Sequence, residues 1–245
     1  RMQESLVLPA AGDGPLNVVV EGEPGAFGGL AQAMRAHLHD GQLSLGDVRV
    51  PLAGAATWEP RPAWERLRAA GATAPLRLEQ LRAVALAHAP REGLLVLLAP
   101  EGGSGSSARP PAEVERARAA AADLAAGRAG DVTHLEAGAR RLAGLGGGLT
   151  PAGDDFLVGA MLRAWLDGPT PDAFCRAVAA VAAPRTTLLS AALLRAAARG
   201  ECSAPWHRLL AALESGASPA PAVEAILAHG HTSGADALAG FLGAN

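Results

Sequence analysis

Residues Gly144 to Gly159, read as GLGGGLTPAGDDFLVG, place a glycine-rich turn directly before two adjacent carboxylates and an apolar run. Glycines let a backbone approach a ligand closely, and a helix N-terminus offers unpaired N–H groups to an anion. Thr150-Pro151 reads as helix cap and first helical residue, because proline's fixed φ and missing N–H suit that place. Gly146, Gly147, Gly148, Thr150, Gly153 and Asp154 are therefore candidate ligand-binding positions. Adjacent helical residues point about 100° apart, so Asp154 and Asp155 cannot share one job. One of them stabilises the helix start. Asp155 is the candidate ligand contact, accepting an amide N–H or holding a divalent cation, such as Mg2+, against phosphate oxygens.

A second segment echoes the first. Gly153-Asp154-Asp155-Phe156-Leu157-Val158-Gly159 and Gly234-Ala235-Asp236-Ala237-Leu238-Ala239-Gly240 share the pattern G-x-D-x-L-x-G. Thr232 precedes the second copy, and Ser233 and Asp236 stand at capping-box spacing. The pattern predicts two helix N-termini meeting at one ligand, each presenting an aspartate, Asp155 and Asp236. Thr232, Ser233 and Gly234 then join the candidate binding residues. Leu157 and Leu238 should face the core, with Gly159 and Gly240 allowing close helix packing. The alternative is that capped helices recur by chance in a composition rich in alanine and glycine.

Two further groups could take part. Arg185 could pair with a substrate carboxylate or phosphate through its planar guanidinium. Thr186, Thr187 and Ser190 sit on one early helical turn, where hydroxyls either face a ligand or cap their own helix. His229 and His231 flank Gly230 just before the second motif. His231, next to Thr232, is the better general acid/base candidate, against the alternative of a histidine hydrogen-bonded to a loop carbonyl. His37, His39, His88, His134 and His207 stand alone on helical patterns.

Composition narrows the chemistry. Every basic residue is arginine and there is no tyrosine, so a Schiff-base lysine, a phosphate-loop lysine and a tyrosine acid are impossible. There is no G-x-S-x-G, and Cys175 and Cys202 carry no zinc or nucleophile spacing. A net charge of −3 without a basic stripe argues against nucleic acid as a partner. No apolar run approaches a membrane span, and the first residues lack the charged-then-apolar pattern of a signal peptide, so a cytoplasmic protein with no membrane partner is expected.

The elements that must position these residues fall in two styles. Short β-like runs appear at Leu16–Val20, Leu43–Leu52 and Leu94–Leu98, the last apolar throughout, as in a strand buried on both faces, or a short buried helix. Helical patterns lie between them at Gly28–His39, Ala63–Ala70 and Leu76–Ala89. Pro100 to Pro111 is rich in glycine, serine and proline, a flexible loop or linker, or alternatively a lid closing Arg109 over an anion. Beyond it helices are expected at Pro111–Ala126, Asp131–Leu142, Thr150–Leu166, Pro171–Ala182, Pro184–Ala198, Pro205–Leu213, Pro219–Ala228 and Ser233–Leu242. The expected fold class is α+β, with a mixed, β-containing N-terminal half followed by a predominantly α-helical C-terminal half. The expected domains are a β-containing region over 1–100, the loop or linker over 101–111, and a helical domain over 112–245 carrying the glycine motifs. Many alanines predict close helix–helix packing.

Three segments together resemble a known family: Gly146–Gly159; Arg185-Thr186-Thr187-Leu188-Leu189-Ser190-Ala191 with Leu194 and Gly200; and His229 to Gly240. Their order and spacing are similar to the bacterial family that includes the small subunit of oxamate carbamoyltransferase, from anaerobic allantoin degradation. The resemblance covers roughly the last hundred residues. It implies a carbamoyl-transfer setting, in which phosphorolysis of an N-carbamoyl compound gives carbamoyl phosphate and an amide. It also implies a small anionic metabolite as ligand and larger protein subunits as partners. Three readings stand: a carbamoyltransferase-related enzyme with His231, Asp155 and Asp236 at its centre; a non-catalytic or ligand-sensing subunit; and a metal-dependent phosphotransfer enzyme.

Overall fold

The computed structural model describes residues 5–23, 25, 27–30, 34–88, 92–99, 112–168 and 171–243. The chain divides into two compact units, residues 1–60 and 61–245. In the first unit, β1 (Ser5–Val7) pairs in parallel with β2 (Asn17–Val19). A separate antiparallel meander joins β3 (Ala36–His39), β4 (Gln42–Leu45) and β5 (Val48–Pro51). The helix expected over Gly28–His39 is not formed at its C-terminal end, where β3 lies. Asp40-Gly41, both at positive φ, is a preferred two-residue hairpin turn, and it sets the alternating Ala36–His39 against Gln42–Leu45. Residues 31–33 of that expected helix lie outside the described residues.

The second unit is helical: α1 (Trp64–Ala69), α2 (Pro75–Ala87), a 3-10 helix over Leu94–Leu98, α3 (Ala112–Arg128), α4 (Val132–Leu142), α5 (Ala152–Asp167), α6 (Pro171–Ala182), α7 (Leu188–Ala198), α8 (Ala204–Ser215), α9 (Ala220–Leu227) and α10 (Ser233–Gly243). Small sheets followed by helices make the α+β class the observed one. Proline opens or precedes several helices as its fixed φ favours. Leu94–Leu98 takes the helical one of its two expected forms. Leu94, Leu95 and Leu98 are buried and Val96 is half exposed, a helical distribution, and the segment packs on α10. Residues 101–111, with Arg109, lie outside the described residues. Helices α1 and α2 and the 3-10 helix, which precede that segment, fall in the same compact unit as α3–α10.

Helix α5 runs through the middle of this unit, touching α1, α4, α6, α7 and α10. Nearly all of α5 and α10 is buried, with Leu157 and Leu238 fully so. Backbone contact fixes their crossing. A Cβ on Gly159 would lie 1.8 Å from the Ala237 carbonyl oxygen, and one on Gly240 would lie 1.9 Å from that of Phe156. The two contacts are the same contact with the helices exchanged, since Gly159 matches Gly240 and Phe156 matches Ala237 in the repeated motif. The first glycines of the motif behave alike. Gly153 abuts the Leu142 carbonyl at the end of α4, and Gly234 abuts the Ile226 carbonyl near the end of α9. The repeat is therefore structural. Large side chains collect at the other end of α5, where the rings of Trp64 and Trp165 stack with centroids 6.2 Å apart.

Gly159→Ala should force the two backbones apart and cost on the order of 1–3 kcal/mol, the usual range for overpacking. Thermal melts should show a midpoint lowered by several degrees, whereas Gly147→Ala, whose Cβ meets nothing within 4 Å, should melt like the parent.

Candidate functional site

The crossing brings the N-termini of α5 and α10 together. The Thr150 and Ser233 hydroxyls hydrogen-bond at 2.9 Å, tying the residue two before α5 to the first residue of α10. Helix α5 starts one residue later than expected. Pro151 is the cap and Ala152 the first helical residue. Thr150 does not cap because the loop backbone takes over: the Gly153 N–H donates to the Leu145 carbonyl at 2.9 Å, and those of Asp154 and Asp155 donate to Pro151. The helix end thus keeps few donors for a ligand. Free donors lie instead in the loop. The N–H groups of Gly146, Gly147 and Gly148 meet no acceptor among the described residues. Backbone φ is positive at Gly144, Gly146 and Gly148 but not at Leu145 or Gly147. Such alternation of hand makes the concave amide arrangement that receives anions. Gly147 is required neither by φ nor by packing.

The two adjacent aspartates separate as the helical geometry predicts. Asp154 is structural. Its Oδ1 accepts from the Gly144 N–H at 3.0 Å and its Oδ2 from the Thr186 hydroxyl, so it ties the start of the loop to the approach of α7. Asp155 faces α10, where the hydroxyls of Ser233 and Thr150 lower its carboxyl's value. Asp236 reaches back across α10 and accepts the Leu94 N–H at 2.6 Å. The capping box expected of Ser233 and Asp236 is not made. Helix α10 begins at Ser233, and each of the two side chains has a partner in a distant part of the chain.

Asp155 and Asp236 share a second property. Both are buried, with relative exposures of 8% and 0%, and the Oδ2 atom of each lacks a hydrogen-bond partner. A buried polar atom left unpaired costs on the order of 1–3 kcal/mol, more when charged, so such atoms call for an explanation. Burial is the main cause that raises all three carboxyls above the usual carboxylate range. For Asp154 the Thr186 hydroxyl, the Gly144 N–H and Ser190 oppose it. For Asp236 the Leu94 N–H and Thr232 oppose it, and the Glu113 charge adds to it. For Asp155 burial and the charges of Asp236 and Asp154 outweigh the two hydroxyls and push the carboxyl up to about 8.

The remaining expected residues take supporting places. Thr187 caps α7, accepting from the Ser190 N–H at 3.1 Å, and its hydroxyl donates to the Leu149 carbonyl at 2.6 Å. Ser190 donates to the same carbonyl at 3.5 Å. Thr186 lies before the helix and not on its first turn. These hydroxyls fasten the end of the glycine loop. Arg185 is exposed and bonds the Val181 carbonyl. His231 is an exposed residue whose Nε2 lies 3.1 Å from Glu92 Oε2. Burial pushes the Cys175 thiol up to about 12, far from a reactive thiolate.

Sequence reasoning missed Gly93 and Glu113. Gly93 has φ +97°, and a Cβ there would lie 2.8 Å from Asp236 Oδ1, so glycine is needed for the Leu94 N–H to reach that carboxylate. An isolated glycine before an apolar run was the available signal. Glu113 of α3 places Oε1 within 3.0 Å of where a Gly146 Cβ would stand; nothing in its local sequence marks it. Among the described residues no three His, Cys, Asp or Glu side chains group closely enough to hold a metal ion, and no helix is long and apolar enough to cross a membrane.

Comparison with known proteins agrees with the resemblance in the sequence. The family model described as oxamate carbamoyltransferase subunit AllH matches residues 142–245. This segment holds the glycine loop, both copies of the repeated motif and α7. No solved structure matches the chain.

The raised carboxyls predict a pH dependence of folding. A carboxyl whose value is higher in the folded chain than in the unfolded one binds its proton more tightly when folded. Its stabilisation is complete below about pH 4 and is lost as pH rises toward about 8, the value of Asp155. Urea unfolding at a series of pH values should show stability falling across that window, and Asp155→Asn should flatten the fall.

Proposed function

Since residues 142–245 match the family model described as oxamate carbamoyltransferase subunit AllH, we propose that this chain binds a small carbamoyl-bearing or carbamoyl-accepting anion at the glycine loop and the aspartate pair. The observation that carries the reading is the coincidence, at one place, of unbonded loop N–H groups and two buried carboxyls each with an unpartnered oxygen. Carbamoyl transfer needs an anion cradle, donors for a developing oxyanion and acceptors for amide N–H groups. Gly146, Gly147 and Gly148 supply the first two through their backbone. Asp155 and Asp236 supply polar groups sealed from water, where each hydrogen bond counts for more.

In the transfer the acceptor's amide nitrogen forms a bond to the carbamoyl carbon while the carbon–oxygen bond to phosphate breaks. Phosphate leaves with the bonding electrons, and the nitrogen loses a proton to a base. In this reading His231, exposed and next to Thr232, exchanges that proton with solvent. Thr150, Thr186, Thr187, Ser190 and Ser233 hold the loop and the aspartates in place, and Thr232 bonds Asp236. The family description names a subunit, which supports partner subunits in the working assembly and a share of the site contributed by them.

The test is a thermal-shift series on the full chain with carbamoyl phosphate, inorganic phosphate and oxamate, with and without magnesium. A ligand at about 100 times its Kd should add roughly 2.7 kcal/mol of stability. The expected result is a raised midpoint that Gly147→Val and Asp155→Ala both abolish while the Gly147→Val variant alone melts as the parent does. No shift with any of the three would reject binding by this chain on its own. A shift seen only with magnesium would favour the metal-dependent reading.

A further inference from the structure

An anion site lined by carboxyls poses an electrostatic problem. Asp154, Asp155, Asp236 and Glu113 all lie at or near the loop that is read here as the anion cradle, and ionised together they would repel the ligand. The charged groups that face Asp155 are Asp236 from α10 and Asp154 from its own helix; Glu113 from α3 faces Asp236. From the direction of α7 come only the Thr186 and Ser190 hydroxyls, and these go to Asp154. Arg68 of α1, Arg141 of α4 and Arg176 of α6, on helices packed against α5, are engaged on the Trp165 carbonyl, Asp123 and Asp172.

We propose that Asp155 stands as a neutral carboxylic acid at physiological pH and donates its proton in a hydrogen bond to an anionic oxygen of the ligand, a carboxylate or a phosphate. Asp236 is the positioning residue for this arrangement. The inference rests on the anion-binding reading above and deepens it. Three observations support it. The Asp155 Oδ2 is unpartnered although the residue is more than nine-tenths buried, so it is a polar atom that a ligand can complete. Asp236, fully buried and anchored on the Leu94 N–H, is a fixed neighbour whose charge discourages ionisation of Asp155. The value of about 8 for Asp155, set first by burial, agrees with both. Burial raises both carboxyls, and the charge of Asp236 raises Asp155 further. Here one is the donor to the ligand and the other tunes it.

Calorimetric titration of the full chain with oxamate, from about pH 6 to about pH 10, tests this. Oxamate keeps one carboxylate charge across that range, and inorganic phosphate run in parallel shows whether the site prefers a carboxylate or a phosphate. Affinity should be level at first and then fall about tenfold per pH unit above about 8. Asp155→Asn, whose amide can still donate, should bind within a few-fold of the parent at neutral pH and lose the alkaline fall. Asp236→Asn should move the fall to lower pH. A level parent profile, or loss of binding at neutral pH in a folded Asp155→Asn, would overturn the proposal while leaving the anion site intact. Absence of binding by both probes at every pH would instead reject the anion-binding reading itself, and this inference with it.

Discussion

The rest of the helical unit depends on the direct backbone contact between α5 and α10. At Gly159 and Gly240 neither helix carries a side chain, and each glycine lies against a carbonyl of the other helix. Helices that approach this closely tolerate only small residues at the crossing, which accounts for the alanine and glycine on both. The same contact determines which ends meet. Because the two copies of the motif cross with equivalent positions in contact, the residue four before each glycine, Asp155 or Asp236, comes to the same end. The bulky core formed by Trp64 and Trp165 lies at the opposite end of α5.

Asp154, Asp155 and Asp236 divide by how completely they are satisfied. Asp154 has a partner for each oxygen and joins the loop, α5 and the start of α7. Asp155 and Asp236 each keep one oxygen without a partner in a place closed to water. The contrast distinguishes Asp154 from Asp155 and Asp236 more sharply than burial does, since all three are buried. Where a fold holds unpaired polar atoms at two equivalent positions, a ligand that completes them is the economical explanation. The glycine loop beside them, with its unbonded N–H groups, provides the complementary half of such a site.

The sequence by itself determined the helical half in close detail. Proline and glycine punctuation and the apolar spacing placed every helix from α3 to α10 within a few residues, because those signals act locally through φ restriction and one-face burial. The repeated G-x-D-x-L-x-G also exposed the pairing of α5 with α10 before any coordinates. Local signals failed where a distant partner competed with them. Thr150 has the residue type and position of a helix cap, yet Ser233 claims its hydroxyl and the Leu145 carbonyl serves the helix end instead. Ser233 and Asp236 have capping-box spacing, yet Thr150 and Leu94 take their side chains.

Only the tertiary structure decided which residues share a site. Gly93 and Glu113 lie far from both motifs in the chain, and their roles follow from where the 3-10 helix and α3 pack, which no nearby residue encodes. The division of labour between Asp154 and Asp155 has the same origin. Their chemistry is identical and their sequence positions adjacent, and one turns to the donors of Gly144 and Thr186 while the other turns to α10. Residue type and spacing set what each group could do; long-range packing set the dielectric and the partners around it, and so which oxygens remained without a partner.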